Sequence, residues 1–347
     1  MLNQSNTSTS FNASFVDNIL PVTITSFIIV IGTIGNFMII YFIYKIPALH
    51  SYNNILIAHL AVADFLQVTL VLPMAIANSL LRPEIPPSLC QAFAYIFSFL
   101  ITISLAATAA ISIDRCLAVI YPYRYSASMK IKYIIIYIVL TWLLLAIQAS
   151  IPLLGLQQYG FGEYKPISNN LQCWLDLQQP EKNRIAFIFV FTYLVVTISA
   201  IVISYAIIFF IACNKGITDV SIVGYVSLKR SIRTTALIVG SNLVCFMPAW
   251  IAMTLSYFHQ DDLPPPLSMT SSLLMYLNPA INPIIYTLTN AILRKKIKKY
   301  WGCKFCTRNL QNIISKPSVK IDAYPLNKSN LSFQLDIRNQ SQISATS

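Results

Sequence analysis

Seven stretches of this chain are long and apolar enough to cross a lipid bilayer, and they constrain the fold more than any other feature. A membrane helix needs about 20 predominantly apolar residues to cross the hydrocarbon core with its backbone groups hydrogen-bonded. The predicted spans, numbered one to seven, cover residues 19–44, 54–80, 88–119, 133–154, 185–212, 231–257 and 268–289. The sequence therefore predicts an all-α membrane protein, a bundle of seven transmembrane helices.

Composition excludes a soluble globular domain. The 347 residues are 56% hydrophobic and 10% charged, whereas a soluble domain carries about 25% charged residues. Polar side chains within spans two, three, six and seven have to face other helices or internal water. An enzyme is not expected, because His50, His59 and His259 are scattered and no nucleophile–base set or metal-ligand cluster is visible.

The distribution of Lys and Arg predicts the orientation. Of the 24 basic residues, Arg82, Lys165, Lys182 and Arg184 fall on one side of the membrane, and the other 20 fall on the opposite side. Basic residues collect on the cytoplasmic side, so the N-terminus is predicted to be extracellular and the C-terminus cytoplasmic, as in a multi-pass plasma-membrane protein. The net charge of +12 then reflects contact with lipids of the inner leaflet and not nucleic-acid binding.

Both ends of the chain are predicted to lie outside the bundle. Residues 1–18 form a polar extracellular tail without the basic start of a signal peptide, and sequons at Asn3, Asn6 and Asn12 predict glycosylation. An amphipathic helix at 290–301 is predicted on the inner membrane surface, followed by a disordered cytoplasmic tail, 302–347. The cysteines after that helix, Cys303 and Cys306, suit S-palmitoylation, with free cytosolic thiols as the alternative.

Two of the seven cysteines, Cys90 and Cys173, fall outside the membrane on the oxidising side. A disulfide between them would tie the second outer loop to the top of span three. Two unpaired thiols are the alternative, which an oxidising compartment disfavours.

Each span contains a short motif, and these motifs follow one another in a fixed order along the chain. They are Gly35-Asn36 in span one; Leu60-Ala61-Val62-Ala63-Asp64 in span two; Asp114-Arg115-Cys116 at the base of span three, followed by Pro122; Trp142 and Pro152 in span four; Tyr205 in span five; Cys245-Phe246-Met247-Pro248 in span six; and Asn278-Pro279 with Asn282-Pro283-Ile284-Ile285-Tyr286 in span seven. With the two outer cysteines, this ordered set resembles that of the rhodopsin-like (class A) G-protein-coupled receptors over about residues 19–306.

The resemblance implies a receptor that couples to a heterotrimeric G protein, with arrestin and receptor kinases as further partners and an unknown extracellular ligand. It implies that Asp114 holds Arg115 at rest, and that Arg115 swings towards Tyr205 and Tyr286 as span six moves outward. An ordinary interfacial ion pair is the alternative for Asp114 and Arg115.

Polar stripes run along spans three and seven. Ser104, Thr108 and Ser112 are spaced four residues apart on span three, and Asn278, Asn282 and Tyr286 follow the same spacing on span seven. In the receptor family a sodium ion is held by the residues that correspond here to Asp64, Ser104, Asn278, Asn282 and Asn36. No other cofactor is implied, and the alternative is a dry polar core with a protonated Asp64.

His59 lies in span two within an apolar run. We predict that this neutral imidazole accepts a hydrogen bond from the Trp142 indole, which is a donor only.

Several residues depart from the family pattern. Cys116 replaces a tyrosine, Thr197 a proline, Asn242 a phenylalanine and Phe246 a tryptophan, and Leu228 stands where an acid often pairs with the span-three arginine. Fewer contacts would then favour the resting state, so raised basal activity is expected. The alternative for Asn242 is an ordinary interhelical hydrogen bond.

The ligand is predicted to be neutral or apolar. Phe97 stands where receptors for amines carry an aspartate, so a cationic amine lacks a buried counter-ion. By family position, the cavity wall is Phe97, Ile101, Phe189, Tyr193, Phe246, Trp250 and Tyr276. Two alternatives remain open: these aromatics only pack against one another, or they capture an amine by cation–π contact.

Two other classes of membrane protein are alternatives to a ligand-activated receptor. A non-photosensitive opsin-like receptor stays open, but covalent retinal is excluded because residues 234–293 contain no Lys. A multi-pass transporter usually shows internal repeats and interrupted helices, which are not visible here.

Overall fold

A computed structural model describes residues 5–81, 86–121, 125, 130–166, 173–176, 180–214, 222–259, 264–290, 292–295 and 297. For residues 5–18, 81, 180, 212–214, 222–231 and 265 the description covers the backbone only. The chain divides into two units, Met1–Arg294 and Lys295–Ser347, and the bundle belongs to the first.

Long helices form every predicted span, which confirms the all-α membrane bundle. The helices that belong to spans one, three, four, five, six and seven are, in that order, Ser5–Lys45, Pro87–Ile120, Ile131–Ser150, Pro180–Asn214, Ile222–His259 and Pro265–Thr289. Span two comprises Tyr52–Leu66, Gln67–Val71 and Leu72–Leu81. Short 3₁₀ turns at Pro47–Leu49, Ile151–Leu154 and Gln157–Tyr159 lie in the connections.

The helix of span seven differs from the other six in its polarity. Within the described residues, spans one to six are long and apolar enough to cross a membrane on length and composition alone, and span seven is not among them. Its 25 residues still reach about 37 Å. Ser268, Ser271, Ser272, Asn278 and Asn282 lower its hydropathy, and all five are buried inside the bundle.

Span two contains a π-helical turn that the sequence analysis did not predict. Residues Gln67–Val71 interrupt two α-helical segments, Tyr52–Leu66 and Leu72–Leu81. A π turn accommodates one residue more than an α turn. The Gln67 side chain at this turn is fully buried, and neither of its amide atoms has a hydrogen-bond partner among the described residues.

Span three lies at the centre and packs against spans two, four, five and six. Its Ile103 joins Ala63 of span two and Leu145 of span four in one buried cluster. Trp142 Nε1 donates to His59 Nε2 at 2.9 Å between spans four and two, as predicted. The outward face of span four is exposed and apolar, for example at Leu144, which suits a helix that faces lipid.

The outer loop between spans four and five forms a two-stranded antiparallel hairpin, β1 (Tyr164–Pro166) and β2 (Cys173–Leu175). The Cys90–Cys173 disulfide is present and ties β2 to the start of the span-three helix. The Tyr164 hydroxyl donates to Ala149 O of span four at 2.8 Å. Burial raises the pKa of Tyr164 to about 12, so this donor keeps its proton at neutral pH.

The two ends of the chain differ in part from the expected boundaries. The first helix begins at Ser5, within the stretch predicted as a polar tail. After span seven, Asn290 Oδ1 accepts from the backbone N–H groups of Ile292 and Leu293, at 3.0 and 3.2 Å, and so caps a new helical turn. Residues 292–295 and 297 of the predicted amphipathic helix are helical, and its other residues beyond Asn290 lie outside the described part.

Candidate functional site: a polar centre, an inner ion pair and an outer cavity

Asp64 lies at the centre of the bundle and is fully buried. Its Oδ1 accepts a hydrogen bond from Ser104 Oγ of span three at 3.3 Å, and its Oδ2 accepts one from Asn282 Nδ2 of span seven at 2.8 Å. The polar stripes on spans three and seven therefore meet at one carboxylate of span two. A buried carboxylate needs such partners, because an unpaired charge in the membrane is strongly disfavoured.

Asn36 approaches span seven in a different way. Its Nδ2 donates to Pro279 O at 2.7 Å and to Gly32 O at 2.9 Å, and it makes no contact with Asp64 of this kind. Pro283 has no N–H, so the Pro279 carbonyl lacks its usual helical donor, and Asn36 supplies a replacement. The preceding Gly35 permits this approach, since a Cβ there would lie 2.6 Å from Pro283 Cγ.

Three buried amide oxygens around this centre have no hydrogen-bond partner among the described residues. They belong to Asn36, Asn278 and Asn282, and the Nδ2 of Asn278 is also unpartnered. Carboxylate and amide oxygens are the ligand atoms that hard cations prefer. The donor set thus fits a small hard cation beside Asp64, whose carboxylate already contacts Ser104 and Asn282, with Asn278 as a further buried amide.

Asp114 and Arg115 form a buried ion pair at the cytoplasmic end of span three. Arg115 Nε donates to Asp114 Oδ2 at 2.9 Å, and a second guanidinium N–H contacts the same oxygen. The other carboxylate oxygen accepts from the Tyr125 hydroxyl in the following loop. This arrangement holds the arginine against its neighbouring acid.

Of the two predicted partners of Arg115 after activation, Tyr205 and Tyr286, only Tyr286 is engaged elsewhere by standard hydrogen bonds. The Tyr286 hydroxyl donates to Asn54 Oδ1 of span two at 3.0 Å and accepts from Asn290 Nδ2 at 3.0 Å. The Tyr205 hydroxyl is buried and has no hydrogen-bond partner of standard geometry among the described residues. Tyr205 therefore lies within electrostatic range of Arg115, whereas Tyr286 is held by Asn54 and Asn290.

Sequence reasoning missed Tyr125. The loop also contains Tyr121 and Tyr123, and nothing in the sequence distinguishes the one that reaches Asp114. Burial and the adjacent Asp114 raise the pKa of the Tyr125 hydroxyl above its usual range. The hydroxyl therefore stays protonated and acts as a donor to the carboxylate.

Asn242 links spans six and three. Its Nδ2 donates to Thr108 Oγ1 at 2.5 Å, and both residues are fully buried. The Thr108 hydroxyl in turn donates to Ser104 O at 2.9 Å, so this polar link connects Asn242 to the Asp64 group. The contact matches the interhelical hydrogen bond held open for Asn242, whereas the Leu228 side chain lies outside the described part.

The seven residues predicted to line a ligand cavity are distributed over more than one site in the described structure. Phe97 packs in a buried aromatic cluster, 4.7 Å from Trp174 and 6.1 Å from Tyr276 between ring centroids. Tyr193 donates through its hydroxyl to Thr102 O at 2.7 Å. Phe246 borders a small void of about 280 Å³ between spans three, five and six.

A larger cavity lies between spans three, four, five and six beneath the hairpin. Its volume is about 670 Å³ including its open mouth, and Ile101, Phe189 and Trp250 of the predicted wall border it. Gln148 of span four and Trp174 of β2 also line it, and sequence reasoning missed both. In the sequence, Gln148 differs from its neighbours only by its polarity at the end of an apolar run. Polarity alone does not show that a residue lines a cavity.

The modification sites fall largely beyond the described structure. Asn3, Cys303 and Cys306 lie outside the described residues, and Asn6 and Asn12 lie in the backbone of the first helix at positions whose side chains are not described.

Comparison with known proteins assigns the family. The family described as "7 transmembrane receptor (rhodopsin family)" matches residues 35–286. The chain belongs to this family. The receptor also resembles squid rhodopsin in fold, with a TM-score of 0.75 over 89% of this chain and 93% of that one, at 20% sequence identity.

Curated relatives of the receptor include proteins named for amines and for peptides. Mouse trace amine-associated receptor 1 is 29% identical over 293 residues, which is 80% of this chain and 86% of the relative. Rat galanin receptor type 1 is 24% identical over 302 residues, 85% of each chain. Chicken neuropeptide Y receptor type 2 is 33% identical over 140 residues, 40% of this chain and 36% of the relative.

Membership of the family fixes the coarse function. The receptor is a multi-pass membrane protein that signals as a class A G-protein-coupled receptor, and it is not an enzyme. The relatives differ in the ligands for which they are named, so they leave the ligand type undetermined.

Proposed function

We propose that this receptor responds to a neutral or apolar extracellular ligand and transmits the signal from the plasma membrane to a heterotrimeric G protein. The observation that carries the proposal is the chemistry of the outer cavity, in which no described lining residue is charged. A cationic amine buried there would lack a counter-ion, which costs more than its apolar contacts return. Phe97, at the position of the aspartate in amine receptors, is itself packed between two other aromatic rings.

At the cytoplasmic side, Arg115 is the group that would contact the G protein. The proposed resting state has Arg115 paired with Asp114, with Tyr125 holding the remaining carboxylate oxygen. An outward movement of span six would release Arg115 towards Tyr205 and Tyr286. Arrestin and receptor kinases are proposed to act on the same cytoplasmic face, as is usual for the family.

A sodium ion is proposed as an allosteric ligand of the polar centre. Asp64, Ser104, Asn278 and Asn282 would hold it, and the unpartnered amide oxygens support this assignment. The ion would supply a positive charge that stabilises the ionised form of Asp64 and the packing of spans two, three and seven around it.

A peptide ligand is the second candidate, because two of the relatives are named for galanin and neuropeptide Y. A peptide would bind nearer the extracellular loops, where Lys165 pairs with Glu163 and Asp176 on the hairpin.

A second-messenger assay in transfected cells separates these ligand classes. Cells at matched surface expression are exposed to panels of neutral lipids, trace amines and neuropeptides. We expect a response to a neutral, lipid-soluble compound and none to the amines. A saturable response to a cationic amine, lost on substitution of Phe97 or Tyr276, would overturn the proposal.

A further inference from the structure

The hairpin closes the outer cavity from the extracellular side. Cys173 is bonded to Cys90 of span three, and Tyr164 donates to Ala149 O of span four. At span five, Gly162 N donates to Lys182 O at 2.9 Å, and Ile185 N donates to Gly160 O at 2.9 Å. The outer loop is therefore attached to three of the four helices that line the cavity, and span six lines it through Trp250 and Met253.

The side of the cavity that faces lipid is less enclosed. Spans four and five each pack on span three but make little contact with each other in the described structure. Phe189 of span five borders the cavity and is still 54% exposed, on a helix face that would contact hydrocarbon. Ile151 and Pro152 lie across from it at the outer end of span four. A crevice between spans four and five thus leads from the position of the outer leaflet into the cavity.

Polar groups inside this crevice lack partners. The Gln148 carboxamide is half-buried at membrane depth and makes no hydrogen bond to any described residue. The indole N–H groups of Trp174 and Trp250 are buried without a partner in the same part of the chain, and both rings line the cavity. An unpartnered amide in an apolar surrounding is disfavoured, and a ligand that hydrogen-bonds to it offsets that cost.

These groups define the chemistry of the occupant. The carboxamide can both donate and accept, and the two indoles can only donate. No described lining residue carries a charge that could pair with a carboxylate, phosphate or ammonium group. Nearby charges on the hairpin, Glu163, Lys165 and Asp176, are engaged with one another.

We propose that a neutral amphiphile enters from the outer leaflet between spans four and five and binds with its head group at Gln148 and its apolar body along Phe189. The head group is a hydroxyl, amide or ester, which accepts from the unpartnered donors. The inference rests on the proposed function in that this amphiphile is the signalling ligand.

Photolabelling of the purified full-length receptor in phosphatidylcholine nanodiscs tests the site directly. The probe is a monoacylglycerol with a photoreactive group and an alkyne in its acyl chain, and a fatty acid with the same chain is the charged comparison. We expect the monoacylglycerol to label peptides within 143–154 and 185–194, with displacement by untagged monoacylglycerol. The fatty-acid anion should label these peptides about tenfold less, because its charge has no partner there. Equal labelling by both probes, or labelling spread over every lipid-facing helix, would overturn the proposal.

Substitutions in the crevice give the second arm. Gln148→Leu should lower labelling about fivefold to tenfold, because it removes the polar partner of the head group. Leu144→Ala, one turn away on the lipid-facing side of the same helix, is the matched control and should not change it. If Gln148→Leu does not fold, Gln148→Asn replaces it, and the melting temperature of each variant is compared with that of the wild type. Unchanged labelling in a folded Gln148 variant contradicts the proposal.

This experiment separates the inference from the proposed function. Labelling requires no G protein, so a receptor that is labelled in the crevice but gives no lipid response retains the site and loses the proposed ligand role. If the receptor responds to a neutral lipid but is not labelled in the crevice, the proposed function stands and the proposed site is refuted.

Discussion

Asn36 supplies a hydrogen bond that the backbone of a neighbouring helix lacks. Pro283 has no N–H to donate to Pro279 O. Asn36 Nδ2, on another helix, donates to that oxygen instead, at 2.7 Å. Asn36 therefore links span one directly to the proline-containing part of span seven. The same residues form part of the motif set by which the family was predicted, and their proximity has a direct cause in the covalent chemistry of proline.

Arg115→Ala is expected to abolish G-protein signalling while leaving surface expression largely intact. The substitution removes the cation at the cytoplasmic end of span three, whereas Asp114 keeps its hydrogen bond from Tyr125. Second-messenger output at matched surface density measures the effect. Arg233→Ala, which removes an exposed cation at the cytoplasmic end of span six, is the control. Wild-type output from surface-expressed Arg115→Ala would refute the role of this residue.

Asp64→Asn is expected to abolish the response of basal signalling to sodium. The substitution removes the negative charge beside the unpartnered amide oxygens while preserving the size of the side chain. Basal output is compared in sodium and potassium media of equal ionic strength, with Ser79→Ala as a buried polar control on the same span. A sodium response that is identical in wild type and Asp64→Asn would show that the polar centre does not regulate the receptor.

At the residue scale, sequence reasoning reached the groups whose chemistry is unusual for a membrane. Asp64 stood out because a carboxylate in a span is costly, and the stripe spacing brought Ser104 and Asn282 towards it. Tyr125 and Gln148 were missed because their roles depend on where a loop or helix end lies in three dimensions. Local sequence carries little information of that kind.

At the scale of the helices, the link between spans three and six is the contact most open to test. Asn242→Leu and Thr108→Val each remove the hydrogen bond between these helices. An interhelical bond of this type contributes about 0.6 kcal/mol, so each substitution is expected to raise basal signalling about threefold if the bond favours the resting state. Output per surface receptor is the quantity to measure.

The double variant supplies the control for that prediction. Because both substitutions remove the same bond, Asn242→Leu with Thr108→Val should signal no more strongly than either single variant. Additive increases, or single variants that remain at wild-type output, would show that the bond does not bias the resting state. Folding yield is followed in parallel, since a purely structural bond would change yield and not output per receptor.

The elements were predicted well where hydrophobic length decides them and poorly where it does not. The long apolar runs fixed the helices, and span seven was recognised by its motifs despite its lower hydropathy. The hairpin β1–β2 was missed because three-residue strands joined by a polar loop give no clear alternation. The first helix begins at Ser5 although its start is polar, a length that hydropathy does not predict.

At the scale of the whole molecule, the asymmetric distribution of charge is the main source of the predicted orientation. Lys45 follows span one, clusters of basic residues follow spans three, five and seven, and the disulfide lies at the opposite end of the bundle. These two observations are independent, because one concerns insertion and the other the redox environment. Their agreement supports an extracellular N-terminus.

An epitope tag placed before Met1 is therefore expected to be accessible on intact cells, and a tag after Ser347 only after permeabilisation. Replacing Asn3, Asn6 and Asn12 with Gln should remove the mass that a peptide N-glycosidase releases from the wild-type receptor. Replacement of Asn327, Asn330 and Asn339, which are sequons in the predicted cytoplasmic tail, is the matched control and should change nothing. The predicted orientation would be wrong if the glycosidase still changed the mass after replacement of the three N-terminal sequons but not after replacement of the three C-terminal ones.

The π turn at Gln67–Val71 has a consequence for how this gene can change. Because a π turn takes up one extra residue within a single turn, loss of one codon there would restore a regular α-helix and leave the orientation of Leu72–Leu81 nearly unchanged. Ala75 and Ser79, now buried, would stay buried. In orthologues that lack the extra residue, the residues equivalent to Ala75 and Ser79 should therefore lie one position earlier in the chain. Alignments drawn without a gap at this turn would compare side chains that face different directions.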